Sequence, residues 1–352
     1  MDLWRSARST GLPLHAASGG IKALPDFKNI RTLGVVTSGG DSPGYNPCLR
    51  AVVRSALHLG WDVVGVLRGF EGLSSGEFIP LNSRSVSGII SQGGTILGSS
   101  RWEQFKTPVG QREALRKLNE FGVDVLVIIG GDGTMHGALA MHEAGIATIG
   151  IPGTIENDVF GTDLSLGVDT ALNTAVEALD RIKDTASSHQ QAFLVEMMGE
   201  RSGYLALMAG IAGGAEMVCI PEVPFTMEDV VREVADSYIR GKKHCIITVA
   251  EGAQPHAVDI ARYLQENQGR TGFSVRLSIL GHIQRGGSPS ASDRYLGTLF
   301  GAEAVRLLAA GQSGLMVGLI DNQIVTTPLN EVTTSQVSIE PQYLELANIL
   351  AR

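Results

Sequence analysis

The sequence has little cysteine, a deficit of positive charge and no long apolar run, and each of these excludes a class of protein. It contains only three cysteines, Cys48, Cys219 and Cys245. Their odd number and wide spacing argue against a disulfide framework or a cysteine metal cluster and favour reduced thiols in the cytoplasm. The 28 Lys and Arg residues are outnumbered by 36 Asp and Glu residues, for a formal charge of −8. A nucleic-acid surface needs clustered positive charge, so we expect no nucleic-acid partner.

Apolar residues make up 43% of the 352 positions, but no uninterrupted apolar run reaches the roughly 18 residues that a bilayer-spanning helix needs. We therefore expect a folded, soluble chain without a membrane partner, made of one large or two modest domains. Residues 1–30 carry scattered Arg and Ser and lack the apolar core of a secretory signal. We expect a flexible or loosely packed N-terminal extension there, with a transit peptide as the alternative.

Glycine is abundant, with 44 residues and no repeat period, which indicates many tight turns and close approaches of the backbone to a ligand. From Arg31 onward, short apolar runs end in glycine and are followed by helical patterns. The runs are TLGVVTSGG, WDVVGVLRG, VDVLVIIGGDG, ATIGIPG, QAFLVEMMG and CIITVAEG, and the clearest helical pattern is VDTALNTAVEALDRIKDTA. This alternation predicts an α/β fold with mostly parallel sheets flanked by helices.

Ligands of such folds bind beyond the carboxyl ends of the strands, so the loops after the apolar runs are the candidate site. SGGDSPGYN (38–46) and GGDGT (130–134) both join glycines to a predicted helix start, whose free N–H groups can hold phosphate oxygens. In GGTILGSSRW (93–102), Arg101 can clamp a phosphate, and Asp132 can hold a metal that bridges phosphate oxygens. The alternative for each loop alone is a plain turn, with Asp41 and Asp132 as helix caps.

These segments together resemble the phosphofructokinase family of sugar-phosphate kinases. GGDSPGYN, GGTILGSSR, GGDGT, PGTIENDVFGTD, DTASSHQ, GKKH and LGHIQRGGSP follow one another in the family's order and approximate spacing. The resemblance implies two domains with the active site in the cleft between them. The larger, nucleotide-binding domain would comprise residues 31–167 and 284–330, and the smaller, acceptor-binding domain residues 168–283 and 331–352. It also implies a homodimer or homotetramer.

The resemblance implies ATP as the phosphoryl donor. Family members that use pyrophosphate typically carry Asp at the position of Gly133 and Lys at that of Gly153, and an Asp at 133 would crowd and repel the α-phosphate of a nucleotide. Phe70, Trp102 and Phe105 would lie near the adenine and ribose, with ordinary packing as the alternative for these aromatic residues. The nucleotide-binding residues implied are Gly40, Asp41, Phe70, Arg101, Trp102, Phe105, Gly131, Asp132, Gly133 and Thr134.

The segment PGTIEND (152–158) carries the predicted chemistry. Where the family has Asp-Asn-Asp, this sequence has Glu156 and Asp158 on either side of an asparagine. The resemblance implies that Glu156 is the general base on the acceptor hydroxyl and that Asp158 and Asp132 hold Mg²⁺, which makes neighbouring carboxylates tolerable. Glutamate is one methylene longer than aspartate, which moves the carboxylate by more than about 1 Å, so either the acceptor sits farther back or catalysis is impaired. The predicted catalytic residues are Arg101, Thr154 and Glu156.

The acceptor side departs from the family pattern at two positions. After DTxSSHQ the family has an arginine that reaches a sugar 6-phosphate across a subunit interface, and this sequence has Gln191 at that position. The family also has an arginine in MGR, and this sequence has Glu200 there. Losing such a contact costs roughly 1.5–3 kcal/mol, so we expect weaker binding of fructose 6-phosphate, the family's default acceptor. The substrate-binding residues implied are Thr154, Glu156, Asp158, Gln191, Met198, Gly199, Glu200, Glu251, Arg276, His282 and Arg285.

Several alternatives stay open on the sequence alone. The acceptor is a sugar phosphate or another polyhydroxylated compound, such as an unphosphorylated sugar, a nucleoside or an amino-polyol that pairs with Glu200. The substitutions also permit a catalytically weak regulatory homologue, although the intact Asp132 and Asp158 argue against it. A lipid or NAD kinase shares a GGDGT loop, but PGTIEND and LGHIQRGGSP favour a phosphofructokinase.

Overall fold

The computed structural model describes residue 27 and residues 30–351. The predicted N-terminal extension, residues 1–30, lies outside this part of the chain except for Phe27 and Ile30. Two β-sheets carry helices against them, and no helix among the described residues is both long and apolar enough to cross a bilayer. The predicted α/β class with mostly parallel sheets is confirmed.

The first sheet has seven strands in the order β11-β10-β5-β4-β1-β2-β3. Its five inner strands are parallel to one another, and both edge strands run antiparallel to their neighbours. The strands are β1 (Thr32–Thr37), β2 (Asp62–Val66), β3 (Phe78–Leu81), β4 (Val125–Gly130), β5 (Ala147–Pro152), β10 (Leu315–Ile320) and β11 (Gln323–Pro328). The helices of the same parts of the chain are α1 (Tyr45–His58), α2 (Gly69–Ser75), α3 (Pro108–Glu120), α4 (Asp132–Glu143), α10 (Ala291–Ala309) and α11 (Leu329–Thr334).

The inner strands of this sheet are covered on both faces. Every residue of β4 and β5 is buried, as expected for continuous apolar runs in a parallel sheet. Alternate side chains of β4 enter different hydrophobic clusters, with Val127 and Ile129 on the face that α1 and α10 cover, and Leu126 and Ile128 on the face that α4 covers. Because both faces are covered, the ends of the strands are the places where a ligand can approach this sheet.

The second sheet has four parallel strands in the order β7-β8-β6-β9. Its strands are β6 (Gln191–Met197), β7 (Met217–Cys219), β8 (Cys245–Ala250) and β9 (Ser274–Ile279). The helices of this part of the chain are α5 (Val168–His189), α6 (Tyr204–Gly213), α7 (Met227–Ile239), α8 (Ala257–Glu266), α9 (Gln268–Thr271) and, near the C-terminus, α12 (Pro341–Leu350).

A buried carboxylate joins the two parts of the chain where α5 begins. Asp293 of α10 accepts hydrogen bonds from the backbone N–H of Gly167 at 2.7 Å and of Thr170 at 2.8 Å. These N–H groups belong to the start of α5, where helix amides have no partner within the helix, and a negative charge there also favours the helix dipole. The first turn of α5 is therefore attached to α10. The division into domains at the predicted boundaries stays a prediction.

Candidate active site

A cavity of about 720 Å³ lies where the carboxyl ends of strands from both sheets come together. The loops after β1, β4 and β5 supply its walls on the side of the first sheet, and residues after β6 supply the opposite side. Its lining includes Gly40, Phe70, Arg101, Trp102, Phe105, Gly131, Asp132, Gly133, Thr134, Thr154, Glu156, Asp158, Glu200, Arg201 and Arg285. The loops that the sequence marks as a candidate site therefore share one cavity.

The GGDGT loop meets the cavity at the start of α4. This helix begins at Asp132. Its N-cap residue is Gly131, so no side chain of the N-cap residue bonds to the first amides of the helix. Thr134 donates a hydrogen bond from its hydroxyl to the carbonyl of Ser38 at 3.2 Å, which joins this loop to the one after β1. The amides of a helix start carry partial positive charge and suit phosphate oxygens.

Neither acid of the two glycine loops caps a helix. Asp132 is the first residue of α4, and α1 has Gly44 at its N-cap with no side-chain hydrogen bond there. The alternative of Asp41 and Asp132 as simple caps is therefore wrong. The side chain of Asp132 faces the cavity, whereas Asp41 lies outside the lining, and its carbonyl accepts a hydrogen bond from Arg285 at 3.2 Å.

The two glycines that the family resemblance links to ATP, Gly133 and Gly153, have different surroundings. A Cβ placed on Gly133 would meet nothing within 4 Å, so this glycine leaves open space beside the phosphate-binding loop. A Cβ on Gly153 would lie 2.3 Å from Cε1 of Tyr45. Tyr45 is fully buried, and its hydroxyl lies within hydrogen-bond distance of the carbonyls of Gly153 (2.7 Å) and Gly40 (3.0 Å). Burial also raises the pKa of Tyr45.

The predicted adenine-side aromatics line the cavity and also pack against each other. Phe70 and Phe105 stack with ring centroids 3.9 Å apart and an interplanar angle of 8°, and both are buried. Trp102 packs partly against the same hydrophobic cluster. Arg101, which precedes Trp102, is exposed at the rim. Packing and a place beside a nucleotide base are therefore compatible for these rings.

Glu156 is largely withdrawn from water and held from several sides. Its Oε1 lies 3.5 Å from Nη2 of Arg285, and its own backbone N–H donates to the hydroxyl of Thr154 at 3.1 Å. Burial raises the pKa of Glu156, and the nearby charge of Asp158 adds to the rise, while Arg285 and a facing backbone N–H of Glu200 lower it. A carboxylate in this setting is a stronger base than one in water.

Asp158 and Asp132 share a cation. Nη2 of Arg201 lies 3.1 Å from Oδ2 of Asp132 and 3.7 Å from Oδ2 of Asp158. Burial raises the pKa of Asp158, and Asp132 raises it further, while Arg201 and the facing hydroxyl of Thr154 lower it. The position between the two carboxylates is therefore one where a positive charge is stabilised.

That position fits the predicted Mg²⁺. In the described part of the chain, no cluster of three or more His, Cys, Asp or Glu side chains is arranged to hold a metal by itself. Mg²⁺ is usually bound by one or two carboxylates together with substrate phosphates and water, so a pair of aspartates is a suitable set of protein ligands. The guanidinium nitrogen of Arg201 stands in for such a cation between Asp132 and Asp158.

Arg201 is not among the site residues that the sequence predicts. It follows Glu200 directly in MMGERSG (197–203), and the one sequence signal for it is a positive charge next to the position where an arginine is expected. The side chain of Glu200 is exposed at the cavity, so the predicted negative charge lies there as well.

Several predicted acceptor residues lie outside the cavity lining but near it. Met198 and Gly199 directly follow β6, and Glu251 follows β8, its N–H donating to the carbonyl of Met197 at 2.8 Å. The charge of Glu251 contributes to the raised pKa of Glu156, so the two are electrostatic neighbours. His282 belongs to the short 3-10 turn Gly281–Arg285, which brings Arg285 into the cavity.

Gln191 and Arg276 lie away from the cavity of their own chain. Gln191 is the first residue of β6, and the cavity lies beyond the other end of that strand, roughly 20 Å away at about 3.3 Å per residue. Arg276 lies opposite Phe193 of β6, on the edge strand β9, and its side chain is exposed. Within one chain, the fold does not bring these two residues to the candidate site.

Comparisons with known proteins agree with this architecture. A family model described as "Phosphofructokinase" matches residues 32–308. A protein of Halothermothrix orenii named ATP-dependent 6-phosphofructokinase is 47% identical over 334 residues, covering 92% of this chain and 100% of its own. Another of Thermus thermophilus, named ATP-dependent 6-phosphofructokinase 1, is 46% identical over 323 residues, with coverage of 92% and 100%.

Solved structures show the same fold. Phosphofructokinase from Saccharomyces cerevisiae superimposes with a TM-score of 0.81 at 36% identity, over 91% of this chain and 48% of that one. A pyrophosphate-dependent phosphofructokinase from Marinobacter aquaeolei superimposes with a TM-score of 0.80 at 22% identity, over 89% and 86% of the two chains, which shows the fold alone.

Proposed function

This chain belongs to the phosphofructokinase family, and we propose that it transfers the γ-phosphoryl group of ATP to a hydroxyl of fructose 6-phosphate. One observation carries the proposal: the two glycine loops, the Glu156 carboxylate and the Asp132–Asp158 pair line a single cavity. The names of the relatives, which cover nearly the whole chain, support this donor and this acceptor. No finding favours the alternative acceptors, the weak regulatory homologue or the lipid or NAD kinase.

The open space at Gly133 supports ATP as the donor. Because a Cβ there would meet nothing within 4 Å, the loop can admit the α-phosphate of a nucleotide next to the start of α4. The phosphates would then lie against the helix amides, with Arg101 at the rim as a clamp. Phe70, Phe105 and Trp102 would hold the base and ribose on the side of the cavity that their rings line.

In the proposed mechanism Glu156 accepts the proton of the acceptor hydroxyl. The hydroxyl oxygen forms a bond to the γ-phosphorus while the bond from that phosphorus to the β–γ bridging oxygen breaks, which leaves ADP and the phosphorylated sugar. Burial keeps Glu156 basic, and Arg285 together with the facing N–H of Glu200 keeps its carboxylate oriented. Mg²⁺, held by Asp132 and Asp158, would neutralise charge on the phosphates. Thr154 lies where it can contact the transferred group or the acceptor.

The acceptor phosphate requires positive charge, and the fold supplies part of it. Arg285 lies in the cavity and is only 12% exposed. Gln191 and Arg276 are too far from the cavity of their own chain, so they would meet the acceptor only at a contact between copies. We therefore expect a homodimer or homotetramer, with Gln191 at the place of the family's arginine and correspondingly weaker binding of fructose 6-phosphate.

A reducing compartment suits the cysteines of this chain. Cys48, Cys219 and Cys245 are all buried and unpaired. Burial raises the pKa of Cys219 to about 12, so this thiol stays protonated and unreactive. We expect the protein in the cytoplasm on this ground.

A matrix of donors and acceptors tests the proposed function. ATP and pyrophosphate are each offered with fructose 6-phosphate, fructose, a nucleoside and an amino-polyol, and product formation is measured. We expect turnover with ATP and fructose 6-phosphate, and a loss of kcat of about 10²- to 10⁴-fold in Glu156→Gln.

A matched control separates catalysis from the loss of a charge. Glu303 is also mostly buried and pairs with an arginine, Arg306, at 2.6 Å, but it lies outside the cavity. Glu303→Gln should keep kcat within about twofold of the wild type. Turnover by Glu156→Gln equal to that of Glu303→Gln would contradict the role of Glu156, and activity confined to another acceptor would contradict the substrate.

A further inference from the structure

Arg201 bridges two carboxylates that come from a different part of the fold. Asp132 and Asp158 follow β4 and β5 of the first sheet, whereas Arg201 follows β6 of the second. One nitrogen, Nη2, contacts both, at 3.1 and 3.7 Å. The guanidinium therefore neutralises like charges that the fold brings together at the candidate metal position.

The backbone next to Arg201 is held firmly while its side chain is exposed. The N–H of Gly252 donates to the carbonyl of Gly199 at 2.9 Å, and a Cβ on Gly252 would lie 1.9 Å from the carbonyl oxygen of Glu200. The side chain of Arg201 is 70% exposed. Its long stem has many rotamers, so the guanidinium can change partners without breaking core packing.

Two other cations that line the cavity are paired with carboxylates other than Asp132 and Asp158. Arg285 contacts Glu156, and Lys106 pairs with Glu103 at 2.7 Å. His136 lies 3.9 Å from Asp132 but has no ion pair with Asp158 in the described residues. Within that part of the chain, Arg201 is the side chain whose ion pairs join Asp132 to Asp158.

We propose that Arg201 exchanges partners during the reaction: it neutralises Asp132 and Asp158 in the free protein, and the metal–nucleotide complex displaces it onto the transferred phosphoryl group. This inference rests on the proposed function. A metal ion and a guanidinium compete for the same oxygens, since two cations repel each other between one pair of carboxylates. The displaced guanidinium then faces phosphoryl oxygens, which arginine binds through two parallel hydrogen bonds. Arg201 thereby supplies the charge that is missing at Glu200.

Binding of Mn²⁺ to the nucleotide-free protein tests whether Arg201 neutralises Asp132 and Asp158 in the free protein. Arg201→Met removes the competing charge, so Mn²⁺, titrated alone and followed by electron paramagnetic resonance, should bind about three- to tenfold tighter than to the wild type. The size is modest because exposed ion pairs are weak. The matched control, Arg262→Met, removes an exposed arginine that pairs with Asp259 at 3.3 Å outside the cavity, and it should leave the affinity unchanged. Equal Mn²⁺ affinity in Arg201→Met and wild type would overturn the proposal.

Steady-state kinetics test whether Arg201 contacts the transferred phosphoryl group during the reaction. Arg201→Met should lower kcat about 10- to 100-fold and change the acceptor KM less than about threefold, because the contact forms mainly with the group in transfer. Arg201→Lys keeps the charge without the paired hydrogen bonds, so it should hold Mn²⁺ affinity within about twofold of the wild type and recover only part of kcat. Partial recovery in Arg201→Lys ties the loss in Arg201→Met to the missing charge, and thermal unfolding of Arg201→Met reports on its fold. A kcat of Arg201→Met within about twofold of the wild type would overturn the proposal.

The two arms separate this inference from the proposed function. If the wild type fails to phosphorylate fructose 6-phosphate with ATP, the proposed function fails, and the Mn²⁺ titration still reports on Arg201. If the wild type is active and Arg201→Met matches it in either measurement, the inference alone fails.

Discussion

The family resemblance implies that Gly133 and Gly153 favour ATP, and substitution at each should separate recognition of the donor from folding. A Cβ on Gly133 meets nothing within 4 Å, so Gly133→Asp should fold normally, and an acid in the first turn of α4 favours the helix by roughly 0.3–1 kcal/mol. Its carboxylate would lie beside the donor phosphates. A pair of unit charges about 4 Å apart interacts by about 1 kcal/mol in water and about 4 near a protein surface. An intermediate cost of about 2 kcal/mol corresponds to a roughly thirtyfold rise in the Kd for ATP.

Calorimetric titration with a non-hydrolysable ATP analogue measures this change, and thermal unfolding of the same samples reports on the fold. Gly133→Ala adds the Cβ without the charge and should change the Kd less than about threefold. Gly153→Ala should lower Tm rather than weaken ATP binding, because its Cβ would lie 2.3 Å from the buried ring of Tyr45. Overpacking of this kind costs about 1–3 kcal/mol, or roughly 1–4 °C in Tm for a chain of 352 residues. Unchanged ATP affinity in Gly133→Asp, or unchanged Tm in Gly153→Ala, would refute the reasoning for that glycine.

Two further predictions concern buried carboxylates. The folded state raises the pKa of Glu156 above its ordinary 4.5, so its contribution to stability is present below that value and is lost as the pH rises through the folded pKa. Glu156→Gln should therefore raise Tm at pH 7 and have less effect near pH 4, and an equal Tm change at both pH values would contradict this. Asp293→Ala leaves the N–H groups of Gly167 and Thr170 without their acceptor, at about 1–3 kcal/mol each. We expect a Tm lower by roughly 3–8 °C in thermal unfolding, and a Tm within about 1 °C of the wild type would rule out this role.

Four of the six strands that the sequence predicts correctly share one property. β1, β4, β5 and β8 are almost entirely buried and end in glycine or a turn, so their apolar runs are continuous. Two of the strands that were not predicted, β3 and β9, have weaker patterns. β3 has four residues and contains a proline at the edge of its sheet, and β9 has one buried residue, Val275, among its six. Edge strands are specified by the neighbour they pair with, which a local pattern does not contain.

The donor side of the candidate site follows from local sequence. A loop that leaves the carboxyl end of a parallel strand and enters a helix has its position fixed by those two elements. The GGDGT loop and PGTIEND therefore meet because β4 and β5 are adjacent and parallel. Asp41 is the exception, since it is in such a loop but outside the cavity lining.

The sequence by itself determined the α/β class, the inner strands and the glycine loops. It also determined that Glu156 and Asp158 follow a strand. Each of these features depends on residues that are close together in the chain. The tertiary structure decided which of these side chains touch. It placed Arg201 between Asp132 and Asp158, packed Tyr45 against Gly153, and left Gln191 at the far end of its strand. Such contacts depend on how two sheets pack and which strand ends face each other, and that is set by burial summed over the whole chain.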